Sequence, residues 1–151
     1  MGDRDQADPY RLGRFLAVQD RGGTYQRALA EIRAGQKQSH WMWFIFPQVA
    51  GLGRSAMAQE YAISSAAEAR AYLAHPVLGP RLAECAAALL TAEGKSAEDI
   101  FGPVDAMKLR SSITLFQAVA GPEEPWTVLS QALRKFFDAI PDDATLALLC
   151  A

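Results

Sequence analysis

The chain has 151 residues, half of them hydrophobic and 21% charged, with a formal net charge of −2. That length suits one domain, whose core removes roughly two-thirds of the unfolded surface from water. The composition argues against a disordered chain, and the charge balance against a surface that coats phosphate backbones, so nucleic acid is not an expected partner.

Cys85 and Cys150 are the only cysteines, and His40 and His75 the only histidines. Neither a disulfide framework nor a Cys- or His-rich metal centre is expected, and no cofactor is assigned. The first nine residues carry charges where a signal peptide needs an apolar stretch, and no window approaches the ~18 apolar residues of a membrane span. The expected location is therefore the cytoplasm, with no membrane partner.

Residues 1–9 are read as a flexible tail and 10–151 as one helical domain. Leu12, Phe15, Leu16 and Gln19 recur at helical spacing. Gly22-Gly23 interrupts them, Thr24 caps a second helix, and Tyr25, Leu29 and Ile32 share a face until Gly35 ends it. From Trp41 to Phe46 six large apolar residues run without a break, four of them aromatic. Such a run belongs inside, because each ring buries roughly 150–250 Å². It suits a buried strand or a buried helix, and the helix is preferred because no segment offers a partner strand and Pro47 can follow a helix end.

A loop is expected over residues 49–54 and a short helical turn from Ser55 to Tyr61. Ser65 with Glu68 reads as a capping box for residues 66–74, which His75-Pro76 terminates. Leu78, Leu82, Cys85, Ala86 and Leu89 mark the next amphipathic helix, up to about Thr91. Ser96 and Asp99 start a brief turn to Phe101. Gly102-Pro103 opens a helix to Ala120, Pro125 opens another through Ala139, and Pro141 with Asp142-Asp143 restarts a last short one. The predicted class is all-α, a single domain of about seven to nine helices with no sizeable sheet.

Candidate chemistry gathers on two segments. On a helical wheel of residues 103–120, Asp105, Lys108 and Ser112 fall on an otherwise apolar side, opposite Arg110 and Gln117, which read as solvent positions. One reading is an Asp105–Lys108 pair that ties down a helix start, the acid lying near the positive end of the dipole. The other is a pocket in which Lys108 binds an anionic or carbonyl group, Asp105 orients it or activates water, and Ser111 or Ser112 supplies a hydroxyl.

The second segment is residues 36–48. Lys37 and His40 flank the aromatic run on one side and Gln48 on the other. His40 is either a structural hydrogen-bonding group or a ligand contact and general base. Trp41 and Trp43 are either core or a wall that stacks a planar ring. In Gly51-Leu52-Gly53-Arg54-Ser55, Arg54 offers a bidentate phosphate donor at a glycine-bearing turn, but the spacing matches no P-loop or dinucleotide fingerprint.

These pieces resemble a family. They are Arg14-Phe15 with Gln19, the stretch from His40 to Gln48, Gly51-Leu52-Gly53 with Ser55, His75-Pro76-Val77-Leu78-Gly79, Ile100-Phe101-Gly102, and Asp-x-x-Lys-Leu-x-Ser-Ser-x-Thr-Leu-Phe from Asp105. Together they are similar to a bacterial domain-of-unknown-function family, number 1810 in its series, of small proteins sometimes labelled calpastatin-like. The resemblance spans nearly the whole chain and implies a compact all-helical fold with no established activity. The calpastatin label implies nothing useful, since a calpain inhibitor is largely disordered and this chain is half hydrophobic. More distantly, a Trp-bearing segment followed by a Lys-bearing helix resembles small proteins proposed to process NAD- and ADP-ribose-derived molecules.

Two functional readings fit these residues. In the first, a small nucleotide-derived ligand of the NAD or ADP-ribose kind is bound, or hydrolysed, between residues 40–48 and helix 103–120. Trp41 or Trp43 would then stack a base, Lys108 and Arg54 would bind phosphate, and Asp105 or His40 would activate water. In the second, the chain is a non-enzymatic interaction module, its polar motifs are structural, and Leu146, Leu148 and Leu149 form a partner-facing patch.

Overall fold

Side-chain oxygens set three of the helix starts. Ser55, Ser65 and Ser96 each accept the backbone N–H three residues on, from Ala58, Glu68 and Asp99, at 3.0–3.1 Å. Only the last closes a full capping box, with Asp99 accepting from the Ser96 N–H at 2.9 Å. The box expected at Ser65 is half made. Glu68 turns instead to the N–H and hydroxyl of Ser64, because its other oxygen is drawn to Arg14.

The computed structural model describes residues 8–150. Its helices are α1 (Gly13–Asp20), α2 (Thr24–Ala34), α3 (Met42–Ile45), α4 (Ala56–Glu60), α5 (Ala66–Ala74), α6 (Leu78–Leu90), α7 (Ala97–Phe101), α8 (Pro103–Ala120), α9 (Thr127–Phe137) and α10 (Asp143–Cys150). The fold is all-α. Among the described residues, extended pairing is confined to one isolated parallel bridge, Val49 with Ile63. No described helix is long and apolar enough to cross a membrane. The expected tail lies mostly in residues 1–7, outside the described residues. Asp8 is inside them, and its carboxylate accepts the N–H groups of Leu12 and Gly13, capping α1.

The aromatic run is helical for four residues, as preferred on sequence, and then leaves the helix at Phe46. Beyond it the bridge ties the expected loop down, with Ile63 N–H bonding Gln48 C=O at 2.9 Å and Ala50 N–H bonding Ile63 C=O at 2.8 Å. Trp41, Met42, Phe44, Ile45 and Phe46 are all buried, while Trp43 is half-buried. Each fully buried side chain of this size contributes about 1.5–3 kcal/mol of transfer free energy.

Helix α8 is the hub, touching α5, α7, α9 and α10. Ser111 through Phe116 are consecutive and all buried, so this stretch is enclosed on every side. Arg110 and Gln117, the expected solvent positions, are partly exposed and also bond neighbouring segments. Arg110 donates to the Ile140 and Pro141 carbonyls at 2.8 and 3.0 Å, and Gln117 to the Ser130 hydroxyl at 2.9 Å. Solvent also meets the first turns of α8, where Val104 is 65% and Met107 72% exposed.

Helices α5 and α6 meet at Gly79. A Cβ there would lie 2.2 Å from the Leu73 carbonyl oxygen, which is backbone and cannot swing away. Gly79→Ala is therefore expected to cost about 1–3 kcal/mol by overpacking. A lowered urea midpoint with an unchanged slope is the expected signature; a wild-type midpoint would contradict the close crossing.

Candidate functional site

Glu31, in the last turn of α2, organises the approach to the aromatic segment. Its carboxylate accepts four hydrogen bonds, from Gln38 N–H at 2.7 Å, Ser39 N–H at 2.9 Å, Ser39 Oγ at 2.7 Å and the Trp41 indole at 2.9 Å. Partial burial works to raise its pKa. The donors outweigh it, led by the Ser39 hydroxyl and the Gln38 N–H, and bring the carboxyl from the ordinary 4.5 to about 2. The strand of chain so gathered is also pinned by Lys37 N–H on the Ile100 carbonyl at 2.8 Å.

That path delivers Lys37 to α8. Its ammonium lies 2.9 Å from Asp105 Oδ2 and donates to the Ser39 carbonyl at 2.6 Å. Lys108 approaches the other oxygen of Asp105 at 3.5 Å. Each ammonium also stands over an indole, Lys37 at 5.1 Å from the Trp41 ring centre and Lys108 at 4.8 Å from that of Trp43. Such contacts are worth about 0.5–1 kcal/mol when exposed and more when desolvated. Two cations share the single carboxylate of Asp105, and the ionised Glu31 stands on the other side of Trp41 and Ser39.

Lys108 is also a wall of a cleft of about 330 Å³, with Gln48, Ser111 and Asp142 as its other polar groups and Leu52, Val104 and Met107 among its apolar ones. Ser111 Oγ is within hydrogen-bond distance of Asp142 Oδ2, at 3.1 Å, and of the Met107 carbonyl, at 3.2 Å. Asp142 Oδ2 accepts as well from the Thr145 N–H at 3.1 Å and its hydroxyl at 2.5 Å, anchoring the start of α10 beside α8. The 51–54 turn reaches the cleft through Gly53, where a Cβ would meet that of Ala58 at 2.4 Å.

Lys37, Trp41, Trp43, Asp105 and Lys108 thus form one cluster, and Gln48 and Ser111 join Lys108 in the cleft. The remaining candidates lie apart. His40 is exposed and outside the cleft lining, as is Arg54, whose carbonyl accepts from Gln59 at 3.0 Å. Ser112 is fully buried, is not part of the cleft wall, and its hydroxyl has no hydrogen-bond partner among the described residues.

Glu31 and Asp142 were not among the sequence candidates. An acid in a helix's last turn opposes the macrodipole, a signal that Glu31 has another use. Asp142 is legible as a helix start, but its bond to Ser111, 31 residues away, is not. No group of three or more His, Cys, Asp or Glu side chains among the described residues could hold a metal ion.

These features define a class: a small all-helical domain in which a lysine–aspartate–tryptophan cluster borders a mainly apolar cleft with a few polar groups. The chain belongs to the family described as "Protein of unknown function (DUF1810)", which matches residues 9–149. It is 44% identical to the conserved hypothetical protein Rv1873 from Mycobacterium tuberculosis, whose crystal structure superposes with a TM-score of 0.89 over 95% of this chain and 99% of that one. No curated protein matches the chain. The family expected from the sequence is shown, while the calpastatin-like label has no counterpart in either description.

The Glu31 geometry has a pH signature. A carboxyl whose folded pKa lies below its unfolded value adds stability that is complete above about pH 4.5 and is lost as pH falls toward 2. Glu31→Gln, which cannot accept all four bonds, is expected to lose about 1–3 kcal/mol at pH 7. In urea titrations the gap to wild type should narrow steadily between about pH 4.5 and pH 2.5. A gap independent of pH would contradict the ionised four-donor arrangement.

Proposed function

We propose that the chain binds a small anionic, nucleotide-derived ligand of the NAD or ADP-ribose type in the cleft between residues 40–48 and α8, in the cytoplasm. The observation that carries this reading is the unequal charge count, two ammonium groups on the single carboxylate of Asp105, with Lys108 shared between that cluster and the cleft wall. Lys37 is the more enclosed lysine and Lys108 the more accessible, so Lys108 is the ammonium that meets the cleft, where the Asp142 carboxylate is the opposing charge and is engaged by Ser111 and Thr145. Gln48 and Ser111 add hydrogen-bonding groups. Val104, Met107 and Leu52 supply apolar surface for a ring, in the usual pattern of an apolar site with a few convergent polar groups. Trp43, half-buried with Lys108 over its face, supports the charge at this edge.

A hydrolytic version of this reading assigns water activation to Asp105 or His40. It is less well supported than binding, because both oxygens of Asp105 face ammonium groups and His40 lies outside the cleft lining. Arg54 is exposed and is not part of the cleft wall.

The test is thermal unfolding in the presence of NAD, ADP-ribose and inorganic phosphate, with wild type and Lys108→Ala. A ligand at roughly 100 times its Kd adds about 2.7 kcal/mol, a rise of about 5–10 °C in Tm for a domain of this size. The expected result is a rise with at least one of the three in wild type that is lost in Lys108→Ala. A flat response across the panel removes the proposal.

A second reading, an interaction surface, has one observation in its favour. Val104, Met107, Ile140 and Leu148 are large apolar side chains left exposed. The C-terminal leucines alone support it less, since Leu149 packs against the core and Leu148 lies beside Gly51. Under this reading sedimentation equilibrium gives a self-associating wild type and a monomeric Met107→Lys variant; a monomeric wild type excludes self-association through this surface.

A further inference from the structure

A second cavity lies away from the lysine cluster and shares no lining residue with the cleft. It measures about 670 Å³, inside the range of small-molecule sites, and sits between the end of α5, the outer face of α6 and the start of α9. Its walls are mostly apolar, with Leu73, Pro76, Pro80, Ala83, Trp126 and Val128 among them. The close crossing at Gly79 holds α5 against α6 on this side. His75 fixes the turn between them, its Nδ1 accepting the N–H groups of Val77 and Leu78 at 3.1 Å each, so that Nε2 carries the proton of the neutral ring.

The charges in this cavity are of one sign. Glu84 and Glu124 line it, and no lysine or arginine does. Neither glutamate has an ion-pair partner among the described residues. Glu84 is bonded by the Tyr25 hydroxyl and Glu124 by the Thr127 hydroxyl, which are neutral donors. An anion would be repelled here, and a bare metal ion would find two carboxylates on an apolar wall rather than a cage of oxygens. An organic cation with an aromatic or aliphatic body meets every feature. Its apolar part suits the proline- and alanine-lined wall, its ammonium is balanced by the carboxylates, and Trp126, among the lining residues, is the side-chain type that binds cations best.

We propose that this cavity is a second, independent binding site for a small arylalkyl or alkyl ammonium compound, held by Trp126 between Glu84 and Glu124. The site does not depend on the reading of the cleft. Phenethylamine is the probe, with 2-phenylethanol as its uncharged counterpart and phenylacetate as its anionic one, each followed by calorimetric titration of the full chain.

One saturable site for the amine is expected, with the alcohol about tenfold weaker and the acid not binding, as a combined cation–π and ion-pair contribution requires. Glu124→Gln should weaken the amine severalfold and leave the alcohol unchanged; Trp126→Phe should weaken both; Lys108→Ala should alter neither. Glu124 is exposed, so its variant is expected to melt with wild type. The proposal is overturned by absence of saturable amine binding at millimolar concentration, by equal affinity for amine and alcohol, or by an unchanged amine affinity in Glu124→Gln.

Discussion

A carboxylate at the wrong end of a helix governs much of this structure. Glu31 sits where the α2 dipole disfavours an acid, and it is kept ionised by two backbone N–H groups, a hydroxyl and an indole. Those four bonds turn the chain back across α2, seat the Trp41 ring in the core with its N–H satisfied, and direct Lys37 toward α8. Without that acceptor a buried indole N–H and a tight turn would both lack partners, at the full desolvation cost of each group. The lysine cluster is therefore a consequence of α2 as much as of α8.

Two other polar side chains, the half-buried Arg14 and the buried Gln19, perform comparable joining at the far side of the aromatic segment. Arg14 uses all five of its N–H donors, on the carbonyls of Tyr10, Arg11, Glu60 and Ala62 and on the carboxylate of Glu68. Gln19 donates to the Phe44 carbonyl at 2.8 Å and accepts from Arg81 at 3.2 Å. Short helices such as α3 and α4 cannot hold themselves, since helix nucleation is unfavourable and four or five residues offer few internal bonds. They are tied to the rest of the fold by these side chains, which bond the Phe44 carbonyl of α3 and the Glu60 carbonyl of α4.

The polar groups of α8 show why a helical wheel has limited reach. Its positions are correct as angles, but the surroundings of each depend on which helices pack against it. Arg110 and Gln117 point at neighbouring chain, whereas Val104 and Met107 point at water. Ser111 and Ser112 are adjacent and both buried, yet one meets Asp142 and lines the cleft while the other has no partner among the described residues. The charge excess on Asp105 likewise arises because Lys37 comes from another element. An i,i+3 pair alone would have been neutral.

Local chemistry was legible in the chain itself. Periodicity, glycine and proline punctuation and serine caps specify helices within a few residues of one another, and they gave the all-helical class and most element boundaries. The same residues carried the family likeness, and five of the candidates do meet around Asp105. Tertiary structure alone decided partnership across distance: Glu31 with Trp41, Lys37 with Asp105, Ser111 with Asp142, and the turns that exclude His40 and Arg54 from the cleft wall. Helix formation is set by neighbours within four positions, so sequence reports it. A cleft is set by which surfaces remain after packing, and no spacing along the chain encodes that.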